Sequence, residues 1–225
     1  MAEVRRLLRG ESDCLRIGFV ASAVHEYLGP PLAALRLTYP KLKVKMLDQT
    51  PAEMIVALQR GEIDLALIGI GAELLARDFY IRKLASVPSI VSLPANHRLA
   101  GERQISLSEL KDETFIRGSE DVIPGYTDKI TQFCRKFGRF RPRLVTISGA
   151  NSLAEGLTIS ANEDAISLQP AFISHLKIPN VVMVPIADSG VSWDLFIAWQ
   201  RGKAAGPLRV LLDTVFLKGE DRDFV

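Results

Sequence analysis

Cysteine is nearly missing from this chain: Cys14 and Cys134 are the two in 225 residues. They lie too far apart to suggest a disulfide framework or a metal-binding pattern, and their scarcity points to a reducing compartment. Charge of one sign is missing too. Lys and Arg number 28 against 26 Asp and Glu, a net of +2, so the chain lacks the strongly basic stripe that marks a nucleic-acid-binding domain. No apolar run is long enough to span a bilayer, and the start MAEVRRLLRGESDCLR holds no apolar core of signal-peptide length. A soluble cytoplasmic protein is therefore expected. Catalytic signatures are absent as well: no G-x-S-x-G elbow, no P-loop, no G-x-G-x-x-G and no Cys/His cluster. His25, His97 and His175 share no ligand spacing, and the HRL stretch at His97 is expected to be an exposed turn. No catalytic residue, metal or cofactor is nominated, and an enzyme is not expected.

What is present is a repeated switch between short apolar runs and helical spacing. Leu15–Val20 reads as a strand. Leu28, Leu32, Leu35 and Tyr39 then mark one face of a helix that Pro40 stops. Val44–Leu47 is the next strand. Thr50 follows as an N-cap, with Pro51 at the first helical position and Glu53 completing a capping box. Met54, Ile55 and Leu58 form that helix's apolar stripe, Gly61 ends it, and Leu65–Ile68 is a third strand. This β-α-β-α-β order implies a parallel sheet with right-handed crossovers.

Beyond it, Phe79–Leu84 reads as an edge strand and Ile90–Leu93 as a separate short one. SLSEL opens a short helix with a second capping box at Ser106. Thr114–Arg117 is a strand, Gly118–Gly125 a polar loop, and Tyr126–Phe137 a helix. Leu144–Ile147, a helix from about Asn151 to Ser160 with Asn151 as cap, and Ala165–Leu168 make another β-α-β unit. Val181–Pro185 and Trp193–Trp199 are strands, and Leu208–Leu217 a closing helix. The fold class is α/β, with two Rossmann-like subdomains and a cleft. The expected division is 1–14 as the end of a linker, 15–86 with 189–217 as subdomain I, 87–188 as subdomain II and 218–225 as a tail.

Ligands of open parallel sheets lie beyond the carboxyl ends of the strands. Ser22 and Thr50 both sit at such ends, each opening a helix whose free N–H groups and dipole attract anions. Each could also simply cap its helix, and cap and ligand contact are compatible roles. Gln49 offers an amide next door. Arg135, Lys136, Arg139, Arg141 and Arg143 form a basic run, read as a solvated helix end.

Several stretches in this order resemble the effector-binding domain of LysR-type transcriptional regulators. LRIGFVASA followed by a helix and TYPKLKVKM resembles the family's opening. QRGEIDLALIG resembles its "L..G.LDLAI" segment, and VSLPANHRLAG and ISLSELKDETFI resemble two further segments. The resemblance covers roughly Leu15 to Phe216. It implies a type 2 periplasmic-binding-protein-like fold with a small effector in the cleft. By position, Ser22 and Thr50 then look like the hydroxyls holding a carboxylate, with Ala23 and Gln49 beside them. Pro124, Gly125 and Tyr126 look like the opposite wall, and the helix that Asn151 starts is expected to face the cleft. The small wall residues Ala21 and Ala23 together with Tyr126 suggest a compact, aromatic ligand.

The same resemblance places a winged helix-turn-helix before residue 1, MAEVRRLLRGESD being the end of its linker helix, so DNA would be bound only through that part. It also implies self-association as a dimer or tetramer, with Leu32 and Phe133 on the two helices concerned, as interface or as core. The family's "G.G….P" segment reads SANEDAISLQP here, with Asn162 and Asp164 in place of glycine. Two rivals remain open at this point: a solute-binding protein of a transport system, and an enzyme on the same scaffold.

Overall fold

The computed structural model describes residues 14–20, 27–147 and 152–217. The chain divides into two compact units, one of residues 1–85 with 194–225 and the other of residues 86–193.

Unit 1 starts from β1 (Cys14–Phe19), which pairs in parallel with β2 (Lys43–Asp48) and with β3 (Leu65–Ile68). β9 (Ser192–Gln200) adds to β3 in the antiparallel sense, Leu65 opposite Trp199 and Ile68 opposite Phe196. All four β3 residues are buried, because helices cover both faces of the sheet. On one face lies α1 (Gly29–Thr38), packed against the chain's last helix, α5 (Gly206–Leu217). On the other lies α2 (Pro51–Gln59), whose Met54, Ile55, Ala57 and Leu58 pack with Ala66, Ile68, Phe79 and Ala198.

Local chemistry explains why α2 begins and ends where it does. Thr50 caps it in a full capping box with Glu53, and Pro51 takes the first helical position, where the missing N–H is no loss. Gly61 turns the chain out at φ +68, a conformation that costs glycine little. The acid of QRGEIDLALIG is structural. Asp64 accepts hydrogen bonds from the Arg16 backbone N–H at 2.8 Å and from its guanidinium at 3.1 and 2.7 Å. The guanidinium's hydrogen bond to Asp64 raises the Arg16 pKa.

Unit 2 is built on β5 (Thr114–Arg117), parallel to both β6 (Arg143–Thr146) and β7 (Ala165–Pro170). β4 (Phe79–Pro94) runs antiparallel to β7 and to β8 (Val181–Pro185). Its helices are α3 (Tyr126–Phe133) and α4 (Leu153–Asn162). β4 corrects the sequence reading, which had two short strands here. It is one strand of 16 residues, its first part in unit 1 and the rest in unit 2. Pro88 lies exposed within this strand, and a proline is tolerated where its absent N–H faces no partner.

Three further corrections are local. The helix expected to reach Phe137 stops at Phe133, and Cys134–Gly138 forms a π turn closed by left-handed Arg139 at φ 62. Ser152, not Asn151, caps α4, because its side chain lies three residues before Glu155 and accepts that N–H at 3.2 Å. The His97 side chain is not exposed. It is 12% accessible, with Nε2 3.3 Å from a Glu113 carboxylate oxygen and Nδ1 accepting the Leu99 N–H. Asp164 does take the left-handed backbone, at φ 52. Phe133 belongs to the core of unit 2, at 4% exposure, whereas Leu37 of α1 is 87% exposed.

Two protonated groups are locked inside unit 2. Burial pushes the Cys134 thiol up from 9.0 to about 12, and burial pushes the Tyr126 phenol well above its usual range. A group whose folded pKa is raised holds its proton more tightly in the native state, so it stabilises fully below its unfolded pKa and loses that effect above it. Stability is therefore expected to stay level up to about pH 9 and to fall toward pH 12. Urea midpoints across that range check it. In Cys134→Ala the fall should begin about one pH unit later, near the unfolded tyrosine value of about 10.

Candidate functional site

At the carboxyl end of β1, Gly18 is enclosed. A Cβ built there would lie 2.7 Å from Ile63 Cδ1, 2.9 Å from Gln49 Oε1 and 3.1 Å from Met54 Cγ. The smallness of this junction is thus enforced from within unit 1, by the side chain of Gln49 and the start of α2. Ser22 and Ala23 lie outside the described residues, as does Asn151.

Gln49 follows β2 and donates its backbone N–H to Phe19 O at 3.0 Å. Its side-chain Oε1 is buried and meets no donor. A buried acceptor without a partner costs about 1–3 kcal/mol, and only a donor would satisfy this one. Thr50 follows at once. Its N–H and its hydroxyl both donate to Glu53 Oε2, at 2.8 and 3.0 Å, and its hydroxyl oxygen accepts the Glu53 N–H at 3.3 Å. The described part of this strand end thus brings together Gly18, Gln49, Thr50 and Glu53. Of these the sequence had nominated Gln49 and Thr50. Glu53 had been read for its capping box alone.

In unit 2 the loop before α3 is held by its own side chains. Gly125 sits at φ +79 and donates its N–H to Glu120 Oε2 at 2.9 Å. The Gly118 N–H donates to Thr127 Oγ1 at 3.1 Å. Pro124 and Gly125 are half-buried. Tyr126 points inward at 3% exposure, stacked on Trp193 with ring centroids 5.9 Å apart, and its hydroxyl donates to Leu168 O at 3.0 Å. Any contact the residue makes with a ligand is thereby left to its backbone.

Behind Tyr126 lies a buried polar cluster that the sequence reading missed. Ser92 Oγ and Ser167 Oγ are 2.6 Å apart, and Gln169 Nε2 donates to Ser167 Oγ at 3.3 Å. The signal was available as serines at inward positions of the apolar runs VSLP and ISLQP. Outside the strand ends, an open depression of about 470 Å³ follows α3, lined by Asp128, Thr131, Gln132, Arg135 and Lys136. It is solvated helix surface. Among the described residues no group of His, Cys, Asp and Glu could hold a metal ion, and no helix is long and apolar enough to cross a membrane.

Residues 8–216 match the family described as LysR substrate binding domain. The chain is 24% identical to the HTH-type transcriptional regulator BudR of Raoultella terrigena over 95% of its own length and 72% of that protein's. It is 29% identical to the HTH-type transcriptional regulator AlsR of Bacillus subtilis strain 168, over 68% of this chain and 50% of AlsR. Among solved structures, the BenM effector binding domain with its effector benzoate aligns with a TM-score of 0.72 at 20% identity, covering 94% of each chain. The LysR family regulator CbnR aligns at 0.73 with 15% identity, over 96% of this chain and 73% of that one. The fold is accordingly the type 2 periplasmic-binding-protein-like α/β fold of these domains. The relatives are transcriptional regulators rather than transport proteins or enzymes, and this chain belongs to the LysR substrate-binding family, the effector-binding part of LysR-type transcriptional regulators.

Proposed function

We propose that the chain senses a small organic carboxylate with a compact, aromatic body, bound where β1 and β2 end and α2 begins. The observation that carries this reading is the place of Thr50, which caps the start of α2 just beyond the ends of β1 and β2 with Gln49 beside it, where ligands of parallel sheets collect and helix N-termini attract anions. That the BenM domain holds benzoate makes benzoate the first probe. Each charge-assisted hydrogen bond to it should contribute about 1.5–3 kcal/mol.

The test is calorimetric titration of benzoate into the wild type, Gln49→Ala and Thr50→Ala. Removing either side chain is expected to weaken binding by about tenfold or more. Thr50→Ala also loses a cap, worth about 1 kcal/mol of stability. Unchanged affinity in both variants would place the effector elsewhere. In the whole regulator the change would reach DNA through a helix-turn-helix part and through self-association. The 87% exposed Leu37 on α1 supports that helix as the contact between copies.

A further inference from the structure

Unit 2 gathers positive charge in one place. No acid stands between Asp128 and Glu155, and besides Lys129 that stretch holds Arg135, Lys136, Arg139, Arg141 and Arg143. These five are all exposed, and none forms an ion pair with another described residue. The strip is more than a solvated helix end. α3 stops at Phe133, the π turn carries Arg135 and Lys136, Arg139 closes that turn, and Arg143 opens β6, the edge strand of the sheet. The turn rests on the core. Gly138 lies against the Phe140 ring with no room for a Cβ, Phe140 packs on buried Phe115 at 6.0 Å, and Cys134 O accepts the Phe140 N–H at 3.1 Å. Arg139 keeps a left-handed backbone at φ 62, where glycine would cost less. A cation thus stands there against the local preference, on a base that holds its neighbours in place.

What accompanies the charge selects the partner. Four of the five are arginines, whose planar forks hold phosphate through two bonds at once. The exposed large apolar side chains of the described residues, Leu37, Val56, Leu74, Tyr80 and Val122, all lie outside the strip. It therefore lacks the apolar anchors that carry a protein interface and the exposed rings on which single strands stack. We infer that this strip is a docking surface for the phosphate backbone of double-stranded DNA, gripped without regard to base sequence. The inference goes beyond the effector site and does not depend on it. It gives the second unit a hold on DNA of its own, separate from any helix-turn-helix part.

Titrating the 225-residue chain into a fluorescent duplex of about 30 base pairs over a salt series, read by anisotropy, tests this. Five phosphate contacts predict micromolar binding at about 50 mM salt, and a log–log salt slope of about −4 to −5. Arg139→Gly removes a cation where the backbone suits glycine, so the fold is kept and the slope should shrink by about one. Arg141→Gln with Arg143→Gln should shrink it by about two and weaken binding about tenfold at low salt. Lys43→Gln with Lys45→Gln, which removes exposed lysines of β2 in unit 1, should leave both unchanged. Melting curves check that each variant is folded. No duplex binding at about 50 mM salt, a slope that the arginine variants leave unaltered, or an equal loss in the lysine variant overturns the inference. So does polyglutamate that displaces the duplex as strongly as unlabelled DNA does, which would make the strip a surface for an acidic protein.

Discussion

Trp193→Ala should lower the unfolding free energy by about 3–5 kcal/mol, the range for removing a buried aromatic side chain. Trp193 is 5% exposed, stacks on Tyr126 with planes 10° apart, and receives Phe133 edge-on at 5.4 Å. The substitution removes the area of the indole and two aromatic pairs, each adding about 0.5–1.5 kcal/mol beyond burial. Against a typical total of about 5–15 kcal/mol, that brings the protein near its threshold. Urea unfolding followed by far-UV circular dichroism measures it, and a loss below about 1 kcal/mol would show that the cavity refills. Trp193→Phe should cost much less. The indole Nε1–H is buried without an acceptor, so phenylalanine keeps most of the packing and removes an unsatisfied donor.

Ser167→Val should cost about 2–4 kcal/mol although it trades a small polar side chain for an apolar one in an apolar interior. The penalty comes from what stays behind. Ser92 loses a partner at 2.6 Å and Gln169 loses one at 3.3 Å. An unsatisfied buried group costs about 1–3 kcal/mol, whereas removing both partners together can be nearly neutral. The double variant with Ser92→Ala should therefore be more stable than Ser167→Val alone. A double-mutant cycle by urea unfolding decides it. Strict additivity would show that the two hydroxyls do not stabilise each other.

What could be read from the sequence was what local chemistry decides. Leu65–Ile68, Thr114–Arg117 and Val181–Pro185 are strands at the residues expected. The capping boxes at Thr50 and Ser106 are both present, because each needs only side chains three positions apart. The errors arose where distant residues decide. Nothing near Pro88 says that β4 runs on, since its partners β7 and β8 come from much later in the chain. His97 is taken inside by Glu113, which is invisible in HRL. At the site, Thr50 was legible as a cap. The burial of Gln49 Oε1 without a partner was not, because being unpartnered is a property of the surroundings. Tyr126 was nominated by position, and the contacts that hold its side chain, Trp193 and Leu168, come from distant segments that its own stretch does not reveal.

Unit 1 is assembled from both ends of the chain, and this bears on the order in which a ribosome can deliver it. The antiparallel neighbour of β3 is β9, whose paired residues Phe196 to Trp199 lie in the segment from Asp194 onward. Unit 2 consists of one uninterrupted stretch, residues 86–193. During synthesis the second unit is therefore complete while the first still waits, its β3 edge open and the sheet face that the last helix will cover still wet. Domains usually mature from the N-terminus as they emerge. Here the N-terminal half is the last to close, and an arrested or truncated chain exposes an unpaired apolar strand to neighbouring nascent chains and to chaperones.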